Sequence, residues 1–234
     1  MSDPLLLVGE AFSPWTIKAR WALDHCGLDY AYREYTPGLS EPWLRWRLRQ
    51  WRGCVSVPVL LTRGQAILGS WRIAGYAAQC AGDARLGDLD EIQPWDDLSE
   101  RGLAAARTRV VRAVLADDRA LDESVPFLPN GARFLLRPIA RGVARRLDRK
   151  YAHLAQADAH RDALIALRAA LARSRSGYVL DRFSYADITL SVLLEAVVPR
   201  SGPEVLGPAH RACWHDDALA TEFADLLAWR ETLR

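Results

Sequence analysis

A proline sits inside the most strand-like segment of the N-terminal half, Ser56-Val57-Pro58-Val59-Leu60. Proline carries no N–H and is expelled from the interior of a central strand. Between apolar residues it implies an edge strand or a cis peptide bond. A cis bond would turn the backbone and aim the N–H and C=O of Val57 outward, where they can pair with an extended peptide as an added strand does. The neighbouring residues give the rest of the pattern.

Those neighbours alternate between strand and helix. Leu5-Leu6-Leu7-Val8 is a short apolar run that reads as a buried strand. Ser13-Pro14 then opens a helix, with serine as the cap and proline at the first helical position. Ile17, Trp21 and Leu23 follow on helical spacing, and Gly27 stops the helix after Cys26. Asp29 to Tyr35 alternates and is aromatic-rich, a second strand that Thr36-Pro37-Gly38 breaks. Val55 to Leu61 is the proline-bearing strand. Arg63-Gly64-Gln65 turns the chain into Ala66-Ile67-Leu68, and Ser70 opens a helix to about Cys80. The order is βαβ, a linking segment, then ββα.

From about Asp83 the pattern changes. Residues 83–93 are polar and turn-rich and read as a linker. Residues 94–234 read as helical, with helices over Trp95–Ala116, Phe134–Leu154, Asp158–Ala172, Tyr185–Val197 and Asp217–Leu233. Loops are expected at Glu123–Asn130 and Pro199–Pro208. The predicted domains are therefore 1–82 and 94–234.

The 234 residues are half hydrophobic and 26% charged, with net charge +2. That is enough chain for a core without staples, and it excludes disorder and fibrous repeats. No run approaches the ~20 apolar residues a bilayer needs. The opening Met-Ser-Asp-Pro has no signal-type hydrophobic segment, so a soluble cytoplasmic protein with no membrane partner is expected. Four scattered cysteines without C-x-x-C suggest small buried or half-buried thiols rather than disulfides or zinc. Positive charge is nearly all arginine and is balanced by acids, so no nucleic-acid field is expected. The alternating stretch Leu44–Arg49 has the composition of an RNA strip, but it reads better as a half-exposed helix whose tryptophans pack while its arginines snorkel. His153 and His160 are seven apart and read as a solvated face, not a metal site.

Three serines stand at helix starts. Ser70 follows Gly69 at a helix mouth, where free N–H groups and the dipole favour a carboxylate; the plainer reading is an N-cap. Ser13 offers a hydroxyl donor at the first helix, again with an N-cap as the plainer reading. Ser184-Tyr185-Ala186-Asp187 is a capping box: Ser184 bonds the third-residue amide and Asp187 reaches back, a structural pair worth about 1 kcal/mol or more.

In this order the motifs Phe12-Ser13-Pro14-Trp15-Thr16-Ile17, Val57-Pro58-Val59-Leu60, Gly69-Ser70, Ile73-Ala74-Gly75-Tyr76 and Phe183-Ser184-Tyr185-Ala186-Asp187-Ile188 resemble the cytosolic glutathione S-transferase superfamily. The resemblance implies a thioredoxin-like N-terminal domain, an all-helical C-terminal domain and a homodimer. It implies glutathione as co-substrate and a small, apolar electrophile as partner, with no permanently bound cofactor and no metal. By the same resemblance Ser13 would bond the glutathione sulfur and favour its thiolate. The Val57 backbone, before a cis Pro58, would pair with the cysteinyl part. Gly69-Ser70 would hold the γ-glutamyl carboxylate. Arg52, or an arginine among 45–49, would meet the glycine carboxylate, and Trp15 would line the electrophile pocket.

The chain departs from the pattern at three places. Glu or Gln is usual before the serine of the γ-glutamyl site, and here it is Gly69. Redox-active branches carry cysteine where this chain has Ser13, so protein-thiol chemistry is not expected. The segment Trp43–Trp51 is unusually rich in Trp and Arg. The alternative to a transferase is a binding or scaffold protein on the same fold with a decayed glutathione site, which Gly69 favours.

Overall fold

The computed structural model describes residues 5–82, 84–125, 130–151, 156, 158–200 and 206–233. The chain divides into two compact units. One is Met1–Ile92 with Phe183–Ile188; the other is Gln93–Arg182 with Thr189–Arg234.

The first unit has the thioredoxin-like form. Its elements are β1 (Leu5–Gly9), α1 (Pro14–His25), β2 (Tyr30–Glu34), α2 (Glu41–Leu48), β3 (Val59–Leu61), β4 (Ala66–Leu68) and α3 (Ser70–Ala81). The sheet order is β2-β1-β3-β4. β1 runs parallel to β2 and antiparallel to β3, and β3 is antiparallel to β4. Alternation along the strands separates two faces. On one face Val8, Val59 and Leu61 pack with Leu44 of α2, joined by Leu6, Trp43, Leu48, Val55, Val57 and Leu68. α1 and α3 pack against each other. Their apolar residues Ala19, Ala22, Leu23, Ile73, Ala74 and Ala77 are buried, as are Leu7 and Leu60 on the strands.

The proline-bearing strand is shorter than its composition predicts. The ladder begins at Val59, and β3 is a central strand, not an edge. Pro58 escapes the proline rule because it lies just before the first paired residue. The Val57–Pro58 bond is cis. The Trp/Arg stretch forms α2, but only Trp43 packs, with the Arg33 guanidinium 3.8 Å from its ring centre. Trp46 and Trp51 are 60% and 69% exposed, contrary to the expectation that the tryptophans pack. The helical turn that buries Leu44 and Leu48 leaves Trp46 and Arg47 on the outer side.

The expected linker is largely ordered structure. Ala84–Leu86 is a 3-10 turn, and α4 (Leu89–Ala116) begins within the stretch and carries Pro94 in its second turn. One proline there removes a single backbone bond without ending the helix. Asp83 lies outside the described residues.

The second unit is helical. Beyond Ile92 it holds the rest of α4, then α5 (Asp118–Glu123), α6 (Arg137–Tyr151), α7 (Ala159–Arg173), α9 (Pro208–Trp214), α10 (Asp217–Glu222) and α11 (Ala224–Thr232). A 3-10 segment covers Asn130–Leu136, where the start of a regular helix at Phe134 is expected. Pro208, expected to close a loop, is instead the first residue of α9, since its missing N–H costs nothing there. Parts of the expected loops (126–129 and 201–205), the end of the expected helix (152–154) and His153 lie outside the described residues.

The expected helix Tyr185–Val197 changes pitch midway. α8 (Tyr185–Ser191) gives way to a 3-10 segment, Val192–Ala196. Arginine side chains hold the carbonyls there. Arg230 Nη1 donates to Leu194 and Val198 at 3.1 and 2.7 Å, and Arg109 Nη2 donates to Ala196 at 2.5 Å. Arg230 also meets Glu195, 3.4 Å away and equally buried. His160, expected on a solvated face, is instead buried and completes the packing, its Nε2 3.0 Å from the Leu193 carbonyl. No helix among the described residues is long and apolar enough to cross a membrane. Two of the four thiols, Cys54 and Cys80, are exposed rather than buried, because each lies at or beyond the end of an element's packed face.

Candidate functional site

Strand direction decides where the predicted residues meet. Val8, Val59 and Leu68 stand in one row across the sheet. The chain leaves β1 after Gly9, enters β3 from Pro58 and leaves β4 after Leu68. The segments that carry Ser13, Val57–Pro58 and Gly69–Ser70 therefore all emerge at the same end of the strands. The backbone N–H of Gly69 donates to the Pro58 carbonyl at 3.0 Å and ties two of these segments together.

Ser13 occupies the N-cap position of α1 with extended backbone, φ −69° and ψ 126°, yet its side chain makes no capping bond. Its N–H donates to the Glu10 carbonyl at 2.9 Å, and its carbonyl accepts from Ile17 at 2.9 Å. The backbone is thus held at both ends while the buried hydroxyl is unused by the helix. The capping role open to Ser13 from sequence is not what its side chain does.

Ser70 is not the N-cap of α3. Gly69 is the cap, at φ 85° and ψ 148°, and Ser70 is the first helical residue, 3% exposed. That backbone region is essentially restricted to glycine. Gly69 therefore has a conformational reason to be where the pattern usually has Glu or Gln. The first-turn N–H groups of α3 have no partners within the helix.

The remaining predicted residues are less closely gathered. Trp15 is the second residue of α1 and half-buried. Val57 packs its side chain into the α2-facing core. Arg52 is exposed in the segment between α2 and Val57. Arg45 anchors that segment instead, donating to Glu41 at 2.7 Å and to the carbonyls of Gln50 and Gly53 at 3.2 and 2.9 Å. Ser184 and Asp187 form the expected box with one change. The Ser184 hydroxyl accepts from the second-residue amide of Ala186 at 3.2 Å, not from the third.

Sequence reading missed the acids beside Ser13. Glu34 ends β2 opposite Gly9, and its carboxylate accepts the Ala11 N–H and the Tyr32 hydroxyl. Glu10, partly buried, has its carboxyl pushed up to about 7 by burial and then by the charge of Glu34. Burial, with Glu34 accepting its proton, also pushes the Tyr32 hydroxyl far up. Nothing in the spacing of residues 10, 32 and 34 signals this; only the parallel register brings them together. Among the described residues, no three His, Cys, Asp or Glu side chains form a group that could hold a metal ion.

Comparison with known proteins agrees with this layout. Residues 12–80 match the model of the glutathione S-transferase N-terminal domain. Among solved structures, the chain is similar to glutathione transferase GSTFuA3 from Phanerochaete chrysosporium, at 16% identity and TM-score 0.59, covering 99% of this chain and 94% of that one. It is similar to rice GST1 in complex with glutathione, at 19% identity and TM-score 0.54, covering 98% and 87%. It is also similar to the theta class glutathione S-transferase of Xanthomonas axonopodis pv. citri with glutathione bound, at 20% identity and TM-score 0.55, covering 92% and 91%. Among curated proteins, none matches in sequence. Residues 12–80 are thus similar to a glutathione S-transferase N-terminal domain, and the chain as a whole has the fold of the solved glutathione transferases it resembles.

Proposed function

We propose that the chain binds glutathione at this end of its strands and activates the thiol for attack on a small, apolar electrophile. The observation that carries this is the presence of three unlike groups at one end of the strands: the unused Ser13 hydroxyl, the Val57 backbone outside the ladder, and Ser70 with the first turn of α3. They suit three parts of one extended peptide. The Ser13 hydroxyl donates to the sulfur and lowers its pKa, so the thiol proton leaves to solvent and the thiolate becomes the nucleophile. Each unit of lowering corresponds to about 1.4 kcal/mol of differential stabilisation. A carbon–sulfur bond then forms as the leaving group departs. Val57 pairs with the cysteinyl backbone as an added strand does. Ser70 and the α3 amides hold the γ-glutamyl carboxylate. Arg52 supplies the cation for the glycine carboxylate, and Trp15 forms part of the electrophile wall. We propose the active form to be a cytoplasmic homodimer.

A second reading rests on Gly69. Without a side chain there, one contact to the γ-glutamyl group is missing, which favours a scaffold protein with a decayed site.

Calorimetric titration with reduced glutathione separates the two. We expect micromolar to low-millimolar binding, weakened by Ser70→Ala. Ser13→Ala should still bind but without lowering the thiol pKa. No heat up to ~10 mM, an affinity weaker than about −3 kcal/mol, would overturn the transferase reading in favour of the scaffold.

A further inference from the structure

The turn that carries Ser13 is fastened from outside its own strand. Residues Glu10 to Ser13 link β1 to α1, and the Ser13 N–H bond to the Glu10 carbonyl closes the turn at its ends. Its middle is held by Glu34 on the neighbouring strand. Both carboxylate oxygens accept the Ala11 N–H, at 3.1 and 3.2 Å. The Tyr32 hydroxyl stands 2.6 Å from Glu34 and 2.7 Å from the Gly9 carbonyl, so it bridges the carboxylate to the last residue of β1. The charged and titratable groups facing Glu34 are Glu10 and Tyr32, with the Arg20 guanidinium of α1 5.2 Å from the Tyr32 ring centre.

For a site read as favouring a thiolate, an added carboxylate charge is unfavourable. A carboxylate beside a developing anion opposes it, and Glu34 also holds Glu10 protonated to higher pH. A second acid at the mouth of β1 therefore calls for a compensating use. The hydrogen bonds supply one, because hydrogen bonds to ionised acceptors are about twice as strong as neutral ones. We propose that Glu34 is a positioning residue for Ser13: by gripping Ala11 and, through Tyr32, Gly9, it fixes the Glu10–Ser13 turn and so the direction in which the Ser13 hydroxyl donates. The proposal rests on the reading of Ser13 as the donor to the glutathione sulfur.

Charge and position have opposite signs here, which makes the test sharp. Removing the charge alone lowers the bound thiol's pKa. Losing the grip raises it, because the donor to sulfur is no longer aimed. Glu34→Asp keeps the charge but shortens the reach by one methylene, and Glu34→Gln keeps an acceptor oxygen without the charge. The measurement is the pKa of enzyme-bound glutathione from thiolate absorbance across pH, with the glutathione Kd and the melting temperature alongside. We expect Glu34→Asp and Glu34→Ala to reduce the thiolate present at a fixed pH by about tenfold, one pKa unit, with Kd changed less than about twofold. Glu34→Gln, which keeps one acceptor oxygen and sheds the opposing charge, should hold more thiolate than Glu34→Ala or Glu34→Asp. A merely structural role would lower the melting temperature and leave the bound thiol's pKa in place. Should Glu34→Ala fail to fold, Glu34→Asp carries the test. The proposal is overturned if Glu34→Asp titrates like the wild type, or if Glu34→Gln loses as much thiolate as Glu34→Ala. Wild type that takes up no glutathione sinks the underlying reading and this proposal together. Wild type that binds and responds to Ser13→Ala, with Glu34→Asp unchanged, sinks this proposal alone.

Discussion

Asp187 accepts two hydrogen bonds from Ser184, the backbone N–H at 2.9 Å and the hydroxyl at 3.2 Å, and neither residue has any exposure to solvent. The pair opens α8, whose first residues, up to Ile188, cluster with the first unit although they lie about a hundred residues beyond it in the chain. The cap therefore fixes more than a helix end. It also holds a returning segment whose Ser184 Cβ stands 3.1 Å from where a Cβ on Gly87 would lie.

Asp187→Ala is expected to cost about 2 kcal/mol, the upper end for a lost cap, because the Ser184 N–H is left buried without its acceptor. Urea unfolding followed by tryptophan fluorescence measures it. A cost below about 0.5 kcal/mol would mean that the segment is held by its apolar contacts alone.

Gly69→Ala isolates backbone strain from crowding. No heavy atom lies within 4 Å of where a Cβ would sit, so packing does not oppose the change. The φ of 85° and ψ of 148° do. The expected cost is about 1–3 kcal/mol, readable as a lower urea midpoint at unchanged m-value. An equally stable Gly69→Ala protein would remove the conformational reason given for glycine at this position.

The two units are expected to answer pH with opposite signs. His160 and His210 lie in the second unit, and burial pushes both down to about 4. The unfolded chain takes up these protons near 6.5, so stability is full above 6.5 and falls as pH drops toward 4. Glu10, in the first unit, is pushed up to about 7 from 4.5. Its stabilising contribution is full below 4.5 and is lost as pH rises through 7, an effect of at most about 3 kcal/mol. Hydrogen exchange corrected for intrinsic rates should show α7 and α9 losing protection between pH 7 and 5 while β1 and β2 do not. Glu10→Gln should flatten the response of the first unit over the same range. Uniform loss of protection across both units would contradict this.

Much of the fold was legible because its signals are local. Leu5–Val8, Ser13-Pro14, Gly27 and the alternating Asp29–Tyr35 each act within a few residues, through chain stiffness, capping and side-chain period. They mark β1, α1 and β2 almost to the residue. The capping box at Ser184 was legible for the same reason. Elements governed by distant partners were not. The 3-10 segment Val192–Ala196 has the carbonyls of Leu194 and Ala196 held by Arg230 and Arg109, 36 and 87 residues away in sequence. No periodicity within the segment encodes those partners.

The site divides along the same line. Sequence alone determined which groups are available: a serine at each of two helix starts, a proline inside the third strand, and a glycine at position 69. Tertiary structure decided their arrangement. The antiparallel pairing of β3 with its neighbours brings the segments of Ser13, Val57 and Ser70 to one end of the sheet, and the parallel pairing of β1 with β2 sets Glu34 against the Ser13 turn. Strand direction is a property of the assembled sheet, because it depends on which strand lies beside which. A one-dimensional pattern specifies the faces of each strand but not its neighbours.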